Sequence, residues 1–75
     1  MARLIIRYDV RYKLLVSSCR TKSMAKSRAR GIAVEQGANT RYKVRVYGLA
    51  EGQRRGELMY RCWVGKNGKI VGEDR

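Results

Sequence analysis

Apolar and polar residues alternate along the start of the chain with a period of two. Every even position from Leu4 to Val16 is apolar, and most of the odd positions between them are charged. Successive side chains of a β-strand point to opposite faces, so this run predicts one apolar face and one basic face. Thirteen extended residues would span about 43 Å, which is long for a small domain. We expect one long, bent strand; the alternative is a hairpin that turns near residues 8–10.

A helix is predicted after the polar break at residues 17–21, because apolar residues then recur every three or four positions. Thr21 or Ser23 can cap its N-terminus, and Gly37 is placed to end it. The predicted helix covers residues 22–36, and Gly31 within it is expected to let the helix lie close to a sheet. Small side chains dominate its apolar face: Ala25, Ala29, Ile32 and Ala33.

The period of two returns in two further runs, at about residues 42–47 and 58–64. Both runs place apolar side chains at even positions and, except for Met59, basic or aromatic ones at odd positions. Residues 48–56, with a glycine at each end, are predicted to form the loop between these two strands.

The dipeptide Asn67-Gly68 is the strongest hairpin signal in the chain. It predicts a last short strand over residues 69–72 and a flexible tail at residues 73–75. The predicted order is therefore β-α-β-β-β. An amphipathic helix must cover an apolar sheet face, so the pattern indicates one α+β domain over residues 1–75, a two-layer sandwich of one helix on a small antiparallel sheet.

Eighteen Lys and Arg against six Asp and Glu give a net charge of +12. By the alternation, much of this charge lies on the sheet face away from the helix, where like charges on neighbouring strands destabilise the sheet. Such a face indicates a polyanionic partner, most commonly nucleic acid, and aromatic rings among the cations are typical of base stacking. The residues predicted to contact nucleic acid on this face are Arg7, Arg11, Lys13, Arg41, Lys43, Arg45, Tyr47, Arg61 and Trp63.

Two further groups of cations are candidate phosphate contacts. Arg54 and Arg55 lie at the tip of the glycine-flanked loop and can grip a phosphate. Lys22, Lys26 and Arg30 recur every fourth residue and form a stripe along the predicted helix.

Catalysis finds no support in the residue pattern. Histidine is absent, no nucleophile has a base beside it, and Cys19 and Cys62 lack the spacing of a metal or redox motif. We therefore predict a protein that is not an enzyme and has no catalytic residues, metal site or cofactor. No apolar run is long enough to cross a membrane. We expect a cytoplasmic or nucleoid-associated protein without a membrane partner.

The charge pattern favours a non-enzymatic nucleic-acid-binding protein that contacts phosphates through its basic sheet face and hairpin tip. The pattern is compatible with DNA or RNA, single- or double-stranded. The alternative is a small adaptor or inhibitor protein, of a phage or mobile-element type, that docks its basic face on an acidic protein. Either function is compatible with a homodimer formed through the long first strand.

Overall fold

The computed structural model describes residues 4–37 and 42–75. In these residues the elements follow the order β1 (Ile5–Tyr12), β2 (Leu15–Cys19), α1 (Lys22–Gln36), β3 (Val44–Ala50), β4 (Glu57–Val64) and β5 (Ile70–Asp74). The strands form one antiparallel sheet, ordered β2-β1-β3-β4-β5, and the helix covers one side of it. The predicted α+β arrangement of one helix on an antiparallel sheet is confirmed.

The first alternating run is a hairpin, so the prediction of one long, bent strand is wrong. β1 and β2 pair antiparallel with Tyr12 opposite Leu15, which leaves a two-residue turn at Lys13-Leu14. Lys13 adopts a φ of 52°, in the left-handed region that short hairpin turns use. Neither turn residue is a usual turn former, so the sequence did not indicate a turn at this position. The order becomes β-β-α-β-β-β, and the length argument for a homodimer disappears.

The two-residue turn changes which side chains of β2 face the helix. Val10 pairs with Ser17 and therefore shares its face with an odd-numbered residue. Val16, predicted for the apolar face, lies on the opposite face of the sheet and is 51% exposed. Leu14, in the turn itself, is 99% exposed.

Two β-bulges shift the alternation elsewhere in the sheet. The β1–β3 register shifts between Ile5 and Arg7, and Ile6 at this bulge is half exposed although the alternation predicted it for the core. The β3–β4 register shifts in the same way, so Leu58 lies opposite Tyr47 and leaves the helix-facing side. One extra residue in a strand reverses the face of the residues beyond it, and the alternation alone does not reveal it.

The helix begins and ends where the sequence predicts. Thr21, rather than Ser23, is the N-cap, and its side-chain oxygen accepts a hydrogen bond from the Met24 amide at 3.1 Å. Gly37 follows the last turn with a φ of 73°, and its amide donates to the Ala33 carbonyl at 3.0 Å. The predicted small-residue face is the buried one, so the helix lies over the sheet on alanine side chains.

The core lies between this helix face and the helix-facing side of the sheet. Tyr60 is the largest fully buried side chain. Gly72, in the neighbouring strand β5, leaves the space that the Tyr60 ring and hydroxyl occupy, because a Cβ at position 72 would overlap them. Sheet residues that join the core are Val10, Tyr12, Val44, Val46 and Cys62.

Gly31 does not provide close packing, contrary to expectation, because a Cβ at this position would have nothing within 4 Å. Glycine in a helix interior costs about 1 kcal/mol relative to alanine. We therefore expect Gly31→Ala to raise the free energy of unfolding by about 0.5–1 kcal/mol, which is several degrees of Tm for a domain of this size. Thermal denaturation followed by circular dichroism would measure it. A lower Tm would show that the added methyl group meets neighbouring atoms and would contradict the open space at this position.

The last hairpin forms at Asn67-Gly68 as predicted, and Gly68 has a φ of 80°. β5 is displaced by one residue at its start and extends to Asp74, beyond the predicted strand. Glu73 and Asp74, expected in a flexible tail, pair with β4 and form ion pairs with cations of the sheet and helix.

Candidate functional site

The sheet surface away from the helix, called here the basic face, carries a row of three arginines. Arg11, Arg45 and Arg61 are direct cross-strand neighbours on β1, β3 and β4. Side chains opposite each other in this way have Cβ atoms only about 5 Å apart. The alternation of all three strands places these guanidinium groups side by side because the odd positions of each strand point away from the core. This set is called the arginine row.

The acidic residues of the basic face pair with one member of the arginine row and with one arginine outside it. Arg61 donates to Oε1 of Glu73 through Nε at 3.0 Å and Nη2 at 2.7 Å, and this hydrogen bond is the main reason why the pKa of Glu73 is lowered. Arg7 lies 3.4 Å from Asp9. Among the described residues, Arg11 and Arg45 form no ion pair. Two adjacent cations therefore remain available to an external anion.

The two aromatic residues predicted for this face lie at opposite ends of it. The Lys43 ammonium group lies 4.1 Å from the centre of the Trp63 ring and so occupies one face of that ring. Tyr47 lies two positions beyond Arg45 on β3, where its hydroxyl is 3.5 Å from a nitrogen of Arg45. The Arg11 guanidinium lies 5.8 Å from the centre of the Tyr47 ring. Tyr47 and Trp63 are thus separate stacking positions and cannot take the same base.

The loop between β3 and β4 brings Arg54 and Arg55 to the Tyr47 end of the basic face. Gln53 orders the loop through two hydrogen bonds with Ala50. Its backbone amide donates to the Ala50 carbonyl at 3.1 Å, and its side-chain oxygen Oε1 accepts from the Ala50 backbone amide at 2.9 Å. A Cβ at Gly56 would approach the Gly48 carbonyl oxygen to 2.8 Å, so only glycine allows the loop to return this close to β3.

A concave pocket of about 380 Å³ lies where this loop meets the sheet. Two exposed arginines from the loop and one from β1 surround a partly buried tyrosine and two buried residues. The side chains that line the pocket are Asp9, Arg11, Tyr47, Leu49, Arg54 and Arg55. This is called the Asp9 pocket.

The helix stripe lies on the other side of the sheet and does not extend the basic face. Lys26 forms an ion pair with Asp74 at 2.6 Å, and Lys22 lies 3.9 Å from the same carboxylate. The hydrogen bond from Lys26 is the main cause of the lowered pKa of Asp74. Arg30 donates to the Tyr60 hydroxyl at 3.2 Å, which raises the pKa of Arg30. These three cations hold the helix against β4 and β5.

Two other predicted contacts also fall outside the basic face as described. Lys13 is in the β1–β2 turn, where its ammonium group lies 5.5 Å from the Tyr12 ring centre and 5.0 Å from the Tyr42 ring centre. Its parity predicted a strand position, but the turn moves it to the end of the hairpin. Arg41 lies outside the described residues.

The burial of Asp9 is the feature of this region that the sequence did not predict. Asp9 is only 5% exposed, although it lies between the two exposed arginines of β1 on the basic face. Ser18 donates to its Oδ1 at 2.8 Å. An acid two residues from an arginine on either side is the signal that could have identified it, because all three side chains point to the same face.

Neither cysteine indicates a reactive site. Cys19 and Cys62 are both free and buried, and burial raises the pKa of the Cys62 thiol. Within residues 4–37 and 42–75, no group of three or more potential ligands could hold a metal ion. The single helix of the described chain is too short and too polar to cross a membrane.

The chain matches no protein family model, and no curated protein or solved structure matches it.

Proposed function

We propose that the protein binds nucleic acid through the phosphate backbone, with the basic face and the Arg54-Arg55 loop as its contact surface and without catalysis. The observation that carries this proposal is the arginine row. Like charges directly opposite one another destabilise a sheet; Glu73 neutralises Arg61, and a polyanion that neutralises the other two arginines removes the remaining cost.

The distribution of acids supports the same proposal. Arg11 and Arg45 have no acidic partner among the described residues, whereas Arg61 is bound by Glu73. Arg54 and Arg55 add two exposed guanidinium groups at the end of the same surface. Guanidinium groups bind phosphate oxygens with two parallel hydrogen bonds, so this arrangement suits a chain of phosphates.

The proposal is tested by the salt dependence of binding to single- and double-stranded DNA and RNA, measured by fluorescence anisotropy between about 50 and 200 mM salt. Four neutralised phosphates would give a log–log slope of about −3 for a single strand and about −3.6 for a duplex. A slope near zero for all four polymers would refute it.

Partner capture before and after nuclease treatment tests the adaptor alternative, because loss of all partners after treatment would exclude it.

Replacing Arg54 and Arg55 together with glutamine is expected to make the slope less steep by about 1.4–1.8, if each guanidinium neutralises one phosphate. The stability of the protein should change little, since both side chains are exposed on a loop. The same titration measures the slope. Replacement of Lys66 and Lys69 with glutamine removes the same charge from the exposed β4–β5 turn and serves as the control. Equal effects of the two pairs would show that net charge alone acts.

A further inference from the structure

The Asp9 pocket combines chemistry that phosphate binding alone does not require. Its rim is cationic, with Arg54 and Arg55 exposed on the loop. Asp9 in its wall is an acid, and a carboxylate repels phosphate. The pocket therefore suits a ligand that has hydrogen-bond donors at one end and negative charge at the other.

Asp9 retains capacity to accept hydrogen bonds from such a ligand. The hydrogen bond from Ser18 and the contact with Arg7 Nε both go to Oδ1. An ionised carboxylate can accept about four hydrogen bonds through its two oxygens. Because the side chain is buried and held from two sides, its position is fixed before a ligand arrives.

Tyr47 lies directly opposite Asp9 in the β1–β3 pairing, and both side chains line the pocket. Leu49, which is 3% exposed, gives the pocket an apolar wall. The Arg11 guanidinium near the Tyr47 ring is a second planar group at the same place. Aromatic rings and guanidinium planes are the groups on which proteins stack unpaired bases.

We propose that the Asp9 pocket binds one unpaired guanine base of a single-stranded nucleic acid, with Asp9 accepting from the base and Tyr47 stacking on it. Guanine presents two adjacent donors, N1–H and the N2 amino group, and Asp9 keeps two acceptor positions for them on Oδ2, because Ser18 and Arg7 both contact Oδ1. Uracil and thymine place carbonyl oxygens beside their single N–H, and these would repel Asp9. Arg54 and Arg55 at the rim are then within reach of the flanking phosphates. The inference rests on the proposed function and makes it specific for single strands.

The test compares a uniform uridine oligonucleotide with the same oligonucleotide carrying one central guanine, adenine or cytosine, at fixed salt. A parallel thymidine series in DNA separates recognition of the base from recognition of the sugar. Wild-type protein is expected to bind the guanine-containing strand about tenfold more tightly than the uniform strand, at the lower end of discrimination by paired hydrogen bonds. Equal affinities for the strands would overturn the inference, whatever the salt slope.

Asp9→Asn should abolish the guanine preference, because an amide offers a donor where the base also has a donor. Binding to the uniform strand and its salt slope should persist. Glu35→Gln is the matched control: it makes the same change from acid to amide on the exposed surface of the helix, on the other side of the sheet, and it should keep the preference. If both variants lose the preference while remaining folded, net charge rather than the pocket sets the preference and the inference fails.

The outcomes separate the two proposals. Salt-dependent binding without a guanine preference overturns the pocket assignment and leaves the phosphate-binding surface supported. Absence of binding to every oligonucleotide overturns both. Should Asp9→Asn fail to fold, Tyr47→Leu keeps the inference testable: loss of stacking in the pocket should weaken binding of the guanine-containing strand more than that of the uniform strand, and an unchanged preference would overturn the inference.

Discussion

Replacing both Arg11 and Arg45 with glutamine is expected to lower the affinity for nucleic acid by about 25- to 60-fold at 0.1 M salt. Loss of two phosphate contacts makes the log–log slope less steep by about 1.4–1.8. With equal affinities at 1 M salt as the reference, a tenfold lower salt concentration separates the two proteins by ten raised to this difference, which is about 25- to 60-fold. The loss should exceed that of the Arg54 and Arg55 pair, because loop side chains must be ordered on binding and strand side chains are already positioned.

The same variant should be at least as stable as the wild type. Arg11 and Arg45 stand directly opposite each other, and Arg45 also stands opposite Arg61. Removing two of three neighbouring positive charges relieves repulsion, so the free energy of unfolding should stay unchanged or rise by about 0.2–1 kcal/mol. Opposite changes in affinity and stability are typical of residues kept for function rather than for folding.

Anisotropy titrations and thermal denaturation measure the two effects on the same preparations. The variant with Lys66 and Lys69 replaced by glutamine has the same net charge and is the control. A loss of affinity in the control equal to that of the Arg11 and Arg45 variant would indicate attraction by overall charge. A large loss of stability in the arginine variant would show that the row supports the sheet, and would contradict its assignment as a binding surface.

The parts of the molecule that the sequence predicts correctly are those governed by local rules. The helix from Lys22 to Gln36 follows from its cap, its terminal glycine and the three- and four-residue spacing of its alanines. The outward direction of Arg11, Arg45 and Arg61 follows from a period of two within each strand. Their adjacency does not, because it depends on the β1–β3–β4 order of the sheet.

The parts that it misses depend on tertiary contacts. The turn at Lys13-Leu14 has no turn-forming residue, and it forms because β1 and β2 pair on both sides of it. The bulge at Ile6 moves this side chain out of the core, and no residue type in the sequence signals the bulge. Such local shifts are determined by how strands fit together and not by the propensity of one residue.

The helix stripe shows the same limit for the site. Lys22, Lys26 and Arg30 have the spacing of an exposed charged face, and the sequence predicted them as a separate group of phosphate contacts on the helix. The position of α1 over β4 and β5 places them against Asp74 and Tyr60 instead. Charge therefore has two uses in this chain: one set of cations holds the helix to the sheet, and the other leaves the sheet's open face positive.

Tyr60→Ala is expected to lower the free energy of unfolding by about 3–5 kcal/mol, the usual cost of removing a large buried aromatic ring. Tyr60 is 2% exposed, contacts the helix through Arg30, and fills the space that Gly72 leaves open. A chain of 75 residues has a total stability of only about 4–11 kcal/mol, so this loss is a large fraction of it and should lower the Tm by more than about 10 °C. Circular dichroism at increasing temperature would show the change.

Tyr60→Phe separates the stabilising contribution of the hydroxyl from that of the ring. Gly72→Ala tests whether the Tyr60 side chain fills the space beside position 72. Loss of the hydroxyl should cost about 1 kcal/mol, the value of a typical hydrogen bond. Gly72→Ala should cost about 1–3 kcal/mol by overpacking, since its Cβ would overlap the Tyr60 hydroxyl. In the Tyr60→Phe background the same change should cost less, because the overlapping oxygen is gone. Additive costs in this double-mutant cycle would mean that the two residues do not compete for one space, and the packing argument for Gly72 would be wrong.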